Sequence, residues 1–333
     1  MSDVLPASAS ITSRDSAEKS QASDRANLDE THADNADTAA APESSQVTTC
    51  PPPLAWQEVL AAYRSESQPW EIDCGSRRLQ GRTWGEGPPL YFLNGFAATA
   101  EMFSLLLWLL RDSFRCVVFD SSPIASSRRT RPAMKDFASE VMAVADLHQD
   151  PTIGLFGASF GAAVALQTAL DYPERVSALA LQHGFASRRL SLFERWLAAG
   201  CRLSRRQLSS LPIRRRVQAQ NHRRWFPPFD DTRFEFLVES TGKLALPDLA
   251  DKALAVHAFD IEHQLGAISC PVLLIRTEGQ GIMESQGHEA LECGLVNART
   301  EPLHSTGLHP YLTHPHRVAK LLKTFFLNDQ AGS

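Results

Sequence analysis

One serine in this chain stands between two glycines, in the stretch Ile153-Gly-Leu-Phe-Gly-Ala-Ser159-Phe-Gly-Ala-Ala. The apolar residues before it predict a buried strand, and the small residues after it predict the first turn of a helix. A sharp turn of this kind exposes a nucleophilic serine, because Gly157 and Gly161 remove the side chains that would otherwise clash there. The alternative is a serine that caps an ordinary strand-to-helix turn. The context favours a nucleophile at Ser159.

A serine nucleophile also needs hydrogen-bond donors aimed at the negative charge that develops on the attacked carbonyl oxygen. The backbone amide of Phe160, directly after the serine, is one candidate. The amide of Phe96 is the second, and Gly95 before it lets the backbone approach closely. The Asn-Gly pair that precedes Phe96 is also compatible with a simple turn.

Short apolar segments alternate with helical patterns along most of the chain. The predicted strands lie at 70–73, 79–84, 90–93, 116–120, 152–156, 176–181, 272–275 and 298–303. The predicted helices lie at 56–63, 102–110, 136–147 and 162–171. This alternation is typical of a mostly parallel sheet covered by helices on both faces.

Composition divides the chain into three parts. Residues 1–51 are rich in Ser, Ala, Asp, Thr and Glu, with very few aromatic or branched apolar side chains, so they are predicted to be disordered. The alternating pattern occupies 52–185 and 265–328, which predicts one α/β core. Residues 186–264 between them are helical in pattern and rich in arginine. An insertion at this point predicts a helical cap over the carboxyl edge of the sheet, where sites in open α/β sheets lie.

The arginines of the predicted cap admit two interpretations. They belong either to a solvated amphipathic helix pair or to a docking face for an acidic protein, a peptide or an anionic lipid headgroup. Glu194 is the only acid that opposes them locally in the sequence. The candidate anion- or partner-binding residues are Arg205, Arg206, Arg214, Arg215 and Arg216.

Several function classes are excluded by composition and motif content. The net charge of −5 gives the whole chain no bulk attraction for nucleic acid. The longest apolar run is too short to cross a bilayer, and the N-terminus lacks the regions of a signal peptide, so a cytoplasmic protein is expected. The sequence contains no phosphate-binding glycine motif and no cluster of His or Cys, so no cofactor or metal is expected.

Several of these segments together resemble the α/β-hydrolase superfamily. They are Phe92-Leu-Asn-Gly-Phe-Ala, Val117-Val-Phe-Asp, Gly157-Ala-Ser-Phe-Gly, Tyr172-Pro-Glu-Arg-Val and Cys270-Pro-Val-Leu-Leu-Ile, in the usual order of the superfamily. The resemblance implies an α/β-hydrolase fold with an eight-stranded, mostly parallel sheet, helices on both faces and a helical cap. It also implies a serine–acid–histidine triad in that chain order.

The chain departs from that triad at two positions. Matched to the superfamily, the turn after the strand at 272–275 puts Gln280 where the acid is expected. The loop after the strand at 298–303 puts Leu308 where the histidine is expected. Replacing the triad aspartate by its amide costs a serine protease roughly ten-thousand-fold in rate, and loss of the base costs about a million-fold. The two residues argue against ordinary triad chemistry.

A shifted triad is the alternative. His309 comes one residue after the expected histidine position, and Glu278 comes two residues before the expected acid. A one-residue shift of the loop would turn His309 towards Ser159, with Glu278 within reach of His309. His304 and His183 are weaker substitutes for the base. The competing interpretation is that His309 is a loop histidine facing solvent, beside a proline that stiffens the loop.

Segments around these positions resemble one branch of the superfamily, the maspardin family. They are Leu155-Phe-Gly-Ala-Ser-Phe-Gly, Ile275-Arg-Thr-Glu-Gly-Gln-Gly-Ile-Met-Glu-Ser, Asn297-Ala-Arg and Thr306-Gly-Leu-His-Pro-Tyr-Leu. Proteins of this family retain the elbow serine but lack the usual histidine, and are regarded as binding or trafficking proteins of the cytosol and endosomal surface. The resemblance therefore implies a pseudo-enzyme.

Two functions follow from the sequence. The first is a maspardin-like binding protein that is non-catalytic or weakly active, with a partner at the arginine-rich cap. The second is a serine esterase that cleaves a small acyl substrate with Ser159 as nucleophile, His309 as base and Glu278 as acid. The first is preferred because Gln280 and Leu308 occupy the triad positions.

Overall fold

The computed structural model describes residues 55–123, 131–278 and 281–328. These residues all belong to one unit, Pro53–Ser333. The predicted disordered segment at 1–51 and the predicted acid position Gln280 lie outside the described residues.

Eight strands form a single sheet. They are β1 Gln68–Cys74, β2 Arg77–Trp84, β3 Pro89–Leu93, β4 Arg115–Pro123, β5 Ile153–Ala158, β6 Val176–Gln182, β7 Val272–Thr277 and β8 Ala298–Leu303. Their order across the sheet is β1-β2-β4-β3-β5-β6-β7-β8. The pairs β1–β2 and β2–β4 are antiparallel, and every other pair is parallel. The predicted eight-stranded, mostly parallel sheet is confirmed.

Helices separate most of the strands in sequence. They are α1 Trp56–Glu66, α2 Ser104–Leu110, α3 Met134–Leu147, α4 Phe160–Asp171, α5 Leu192–Arg202, α6 Arg214–His222, α7 Thr232–Gly242, α8 Leu246–Ala258, α9 Ile282–Gly294, α10 Pro310–Thr313 and α11 Pro315–Lys323. A 3₁₀ turn, Ala100–Phe103, precedes α2. Helices α5 to α8 lie between β6 and β7, within the segment predicted as a cap. Among the described residues, no helix is both long and apolar enough to span a membrane.

The core lies on both faces of the sheet because strand side chains alternate between the faces. In β3, Leu90 and Phe92 belong to one hydrophobic cluster, whereas Tyr91 and Leu93 belong to the other. Every residue of β5 is buried. A strand covered on both faces is apolar without interruption, as the sequence of β5 is.

Parallel pairing brings the carboxyl ends of the central strands to one edge. Leu93 of β3 is paired with Gly157 of β5, and Ala158 of β5 with Gln182 of β6. At the far side, Thr277 of β7 is paired with Leu303 of β8. The loops that carry the predicted site residues therefore leave the sheet from the same edge.

Candidate active site

The turn between β5 and α4 holds Ser159 in a strained conformation. Its φ of +53° lies in the left-handed region that non-glycine residues rarely adopt. A Cβ on Gly157 would lie 2.5 Å from the Gly161 carbonyl oxygen, and one on Gly161 would lie 2.1 Å from the carbonyl oxygen of Leu93. Only glycine fits at both positions, because no side chain can occupy the space where helix and strand meet.

Two backbone amides lie beside this serine. Phe160 is the first residue of α4, and Phe96 lies in the loop after β3. Among the described residues, neither amide has a hydrogen-bond acceptor. Both residues line the same cavity as Ser159. A Cβ built on Gly95 would lie 3.9 Å from the Ser159 Cβ, so this loop passes next to the serine. Such amides can stabilise a developing oxyanion.

Asp120, in the second half of β4, fixes that loop. Its carboxylate accepts hydrogen bonds from the Asn94 side chain at 2.7 Å and from the Ala100 amide at 2.9 Å. Burial raises the pKa of Asp120 to about 6. Sequence reasoning assigned no role to Asp120, although an acid at the carboxyl end of a strand was a readable signal.

Lys252, on α8 of the cap, was also missed. Its ammonium nitrogen lies 3.5 Å from the Phe96 carbonyl oxygen and 5.3 Å from the centre of the Phe160 ring. Burial lowers the pKa of Lys252, and the nearby negative charge of Asp120 opposes that shift. The cap therefore places the Lys252 ammonium group beside Phe96 and Phe160, whose amides lie next to the serine. No motif or spacing in the sequence indicated this contact.

Leu308 lies in the loop after β8, and the structure holds its backbone firmly. The Gln182 side chain donates a hydrogen bond to the Leu308 carbonyl oxygen at 3.0 Å, while the Gln182 carbonyl oxygen accepts from the Ser159 amide at 2.7 Å. The preceding Gly307 packs against Trp225 of the cap, and a Cβ there would lie 2.4 Å from the indole ring. The loop is thus clamped from both the sheet and the cap.

His309 is committed to other contacts. Its Nδ1 lies 2.8 Å from the Tyr311 hydroxyl, and its ring centre lies 4.9 Å from that of His222. Burial lowers the pKa of His309 well below the ordinary range, and the neighbouring His222 and His183 lower it further. The hydroxyl of Ser159 has no hydrogen-bond partner among the described residues. In this structure His309 is therefore not hydrogen-bonded to Ser159, and its ring lies half-buried against His222 and Tyr311.

Glu278 pairs with a different histidine from the one predicted. Its carboxylate accepts from the Ser305 amide at 2.9 Å and contacts the Nδ1 atom of His304 at 3.0 Å. The hydrogen bond from Ser305, and then the one from His304, lower the pKa of Glu278. Because Thr277 and Leu303 are paired in the sheet, the residues that follow them, Glu278 and His304, lie side by side. In this structure Glu278 is therefore paired with His304 and Ser305 and not with His309.

His183 is the remaining histidine at this edge. Its Nε2 lies 2.5 Å from the Thr277 hydroxyl, and its Nδ1 lies 3.0 Å from the Gln182 side-chain nitrogen. Burial lowers the pKa of His183 to about 4. Because both ring nitrogens are engaged in hydrogen bonds and the low pKa makes the imidazole a weak base, His183 is poorly suited to activate the serine.

Ser159 lies where two lobes of one cleft meet. The apolar lobe has a volume of about 350 Å³ and lies under cap helices α5 and α8. The polar lobe has a volume of about 250 Å³ and includes His183, Ser187, Glu262 and Gln286. Ser159 and Phe185 border both lobes. One ligand can therefore place an apolar part and a polar part on either side of the serine.

Arg188 also borders both lobes. Its Nε atom is buried and has no hydrogen-bond partner, and the side chain forms no ion pair with a described residue. The neighbouring Arg189 differs, because its guanidinium pairs with Asp260 at 2.9 Å. Glu194, which also lines the apolar lobe, interacts with Arg188 through its charge without a direct ion pair, so the buried Nε atom still favours an anionic ligand atom as its hydrogen-bond acceptor.

Two of the five predicted anion-binding arginines are used inside the cap. Arg214 donates to the Val238 carbonyl oxygen and to the Gln218 side chain, and Arg215 pairs with Glu235 at 2.5 Å. Three further arginines form ion pairs with acids that come later in the chain: Arg189 with Asp260, Arg202 with Asp251 and Arg223 with Asp231. The exposed residues Arg205, Arg206 and Arg216 form no ion pair with a described residue.

Comparisons with known proteins agree with this architecture. A sequence profile of the alpha/beta hydrolase fold matches residues 88–200. A pyrrolizixenacetamide deacetylase of Xenorhabdus hominickii is 24% identical over 257 residues, which cover 74% of this chain and 93% of the relative.

Solved structures of similar shape give the same result. A hydrolase from Pseudomonas aeruginosa PA01 has a TM-score of 0.65 at 20% identity, covering 78% of this chain and 98% of that chain. A thermophilic esterase from Thermogutta terrifontis, solved with malate bound, has a TM-score of 0.66 at 20% identity, with the same coverage. The chain therefore has the α/β-hydrolase fold, as the sequence predicted.

Proposed function

We propose that this protein binds the acyl part of a small ester or amide in the cleft at Ser159 and hydrolyses it slowly or not at all. The observation that carries the proposal is the serine hydroxyl, which has no imidazole partner among the described residues and lies next to a loop in which Leu308 replaces the expected histidine. The Phe96 and Phe160 amides support recognition of a carbonyl oxygen. Ester and amide hydrolysis in the names of similar proteins supports the same ligand class.

The two lobes narrow the ligand further. A cavity of about 350 Å³ lined by apolar side chains suits a short acyl chain. Arg188 suits a carboxylate on the polar side, since a guanidinium forms charge-assisted hydrogen bonds with a carboxylate. The ligand we propose is an ester or amide that carries a negative charge on the side opposite its acyl chain.

A serine esterase with a shifted triad is the second candidate. The strained φ of Ser159 and the two amides without acceptors favour it, because a binding site alone has little need of either. It requires His309 to leave Tyr311 and Glu278 to leave His304 and Ser305. The loop clamp at Leu308 opposes that movement, so this candidate ranks second.

We also propose that the protein is maspardin-like, non-catalytic or weakly active, and cytoplasmic. The maspardin-like assignment rests on four short sequence segments. The pseudo-enzyme interpretation rests on the side chains around Ser159. The cytoplasmic location rests on the sequence expectation alone.

The test combines labelling of Ser159 by a fluorophosphonate probe with turnover and calorimetric binding of short-chain esters. Wild type is compared with Ser159→Ala and His309→Ala, and the exposed His316→Ala is the matched control. We expect binding of the ester and turnover within about tenfold of Ser159→Ala, because loss of the base costs about a million-fold in a related chemistry. Turnover that disappears in both the Ser159 and His309 variants, but not in His316→Ala, would establish the esterase instead.

A further inference from the structure

Helix α5 exposes large apolar side chains on its outer side. Leu192 is 74% exposed, Phe193 76%, Trp196 81% and, just after the helix, Leu203 88%. Residues 192, 196 and 203 recur at intervals of four and seven, which aligns them along one face of a helix, with Phe193 beside them. These four residues form the outer stripe. Contiguous exposed apolar side chains of this size are typical of an interaction surface.

The inner side of the same helix is already occupied. Ala198 is buried, and Leu197 and Cys201 line the apolar lobe of the cleft. A surface helix of a globular protein normally has a single apolar face, turned to the core. The outer stripe therefore extends the apolar surface of α5 beyond what packing against the described residues explains.

The charges around the stripe are positive. Arg195 on the helix and Arg205 and Arg206 after it are exposed and form no ion pair with a described residue. Glu194 is the one acid of α5, and its carboxylate caps the helix by accepting from the Ser191 amide and hydroxyl at 2.8 and 2.9 Å. Aromatic and leucine side chains flanked by arginine are typical of helices that lie in the interface of an anionic membrane.

We propose that the outer stripe docks the cap on an anionic lipid surface. Phe193, Trp196 and Leu203 enter the boundary between headgroups and acyl chains, and the exposed arginines contact lipid phosphates. The stripe lies outside both lobes of the cleft, and the exposed arginines beside it complement the phosphates of an anionic bilayer. Docking would bring the apolar lobe, which α5 also lines, next to the source of apolar ligands. The docking itself does not depend on any activity of Ser159.

The test is sedimentation of the full chain with vesicles of phosphatidylcholine, with and without phosphatidylserine. We expect binding to the anionic vesicles that weakens with added salt. The double variant Phe193→Ser/Trp196→Ser should lose at least tenfold in affinity, and Arg205→Gln/Arg206→Gln should lose affinity for the anionic vesicles only. Val296→Ser removes an apolar residue of similar exposure (72%) outside the stripe and should bind like wild type. Ser159→Ala should also bind like wild type.

Two results would overturn the proposal. One is anionic-vesicle binding by wild type that is absent or equal to that of Phe193→Ser/Trp196→Ser. The other is a wild-type dimer in analytical ultracentrifugation that the same double variant converts to a monomer without any vesicle binding. That outcome would make the stripe an interface between two copies of the chain.

Discussion

At Ser159 the chain has the backbone geometry of a hydrolytic elbow, whereas no base is hydrogen-bonded to the serine among the described residues. The left-handed φ and the two glycines are present, the Phe96 and Phe160 amides have no acceptor among the described residues, and none of the described imidazoles is hydrogen-bonded to the Ser159 hydroxyl. Without a base, a serine hydroxyl is a weak nucleophile at neutral pH. The proposed binding function therefore depends on Leu308 and Gln280, which occupy the positions expected for the base and the acid.

Restoring the expected residues should create activity. We expect Leu308→His combined with Gln280→Asp to raise Ser159-dependent ester turnover at least tenfold, because a base and its orienting acid each contribute orders of magnitude. The measurement is nitrophenyl ester hydrolysis, with Ser159→Ala in the same background as the control. No gain in a variant that folds like wild type would mean that the loop does not direct position 308 at the serine.

Arg188 should decide which ligands the cleft prefers. We expect Arg188→Gln to weaken binding of a dicarboxylic acid monoester about tenfold and to leave a neutral ester of equal length unchanged, since only the former bears a carboxylate. Calorimetry provides the affinities. Arg189→Gln is the matched control, because Arg189 already pairs with Asp260. Equal losses for charged and neutral esters would contradict the assignment.

At the scale of elements, the elbow depends on α4 packing directly against the end of β3. The carbonyl oxygen of Leu93 occupies the space where a Gly161 side chain would be. We expect Gly161→Ala to lower the free energy of unfolding by about 3 kcal/mol, from overpacking against a rigid backbone. Urea denaturation measures the change.

The control for that substitution is Gly200→Ala in α5, where a Cβ would meet nothing within 4 Å. Alanine favours a helix over glycine by about 1 kcal/mol, so this variant should be as stable as wild type or more stable. Equal destabilisation by the two substitutions would show that the tight contact at the elbow is not the cause.

Across the whole molecule, buried neutral histidines should make the fold sensitive to acid. Burial lowers the pKa below the ordinary 6.5 for His148, His183, His222, His288, His309 and His314, and to about 4 for His183. The unfolded chain binds more protons than the folded one between these values, so stability is lost as pH falls from about 6.5 towards 4. Asp120 and Glu140, whose pKa values burial raises, partly offset the loss.

We therefore expect the urea midpoint to decrease from pH 7 to pH 5, and to decrease less in His222→Phe. His222 is suited to the test because its buried Nδ1 has no hydrogen-bond partner and burial is the cause that lowers its pKa. Replacement of the exposed His316 by glutamine is the control. A wild-type midpoint that is equal at the two pH values would contradict the expectation.

Much of the fold was predictable because it depends on local pattern. Short stretches of sequence were enough to predict the buried strand β5 from its apolar run and the elbow from the glycines around Ser159. The alternation of strands and helices was predicted in the same way. The site was predictable only where it is local. The Phe160 amide follows from its position after the serine, whereas the contact of Lys252 with the Phe96 loop joins residues 156 positions apart.

The sequence by itself determined the sheet, the elbow and the absence of histidine at position 308, because each depends on side-chain types at short spacing. The tertiary structure decided which acid meets which histidine. The register of β7 and β8 sets Glu278 beside His304, and Tyr311 and His222 hold His309 away from a shifted triad. Loop contacts depend on strand register and on cap packing, and neither can be inferred from the sequence of a single loop.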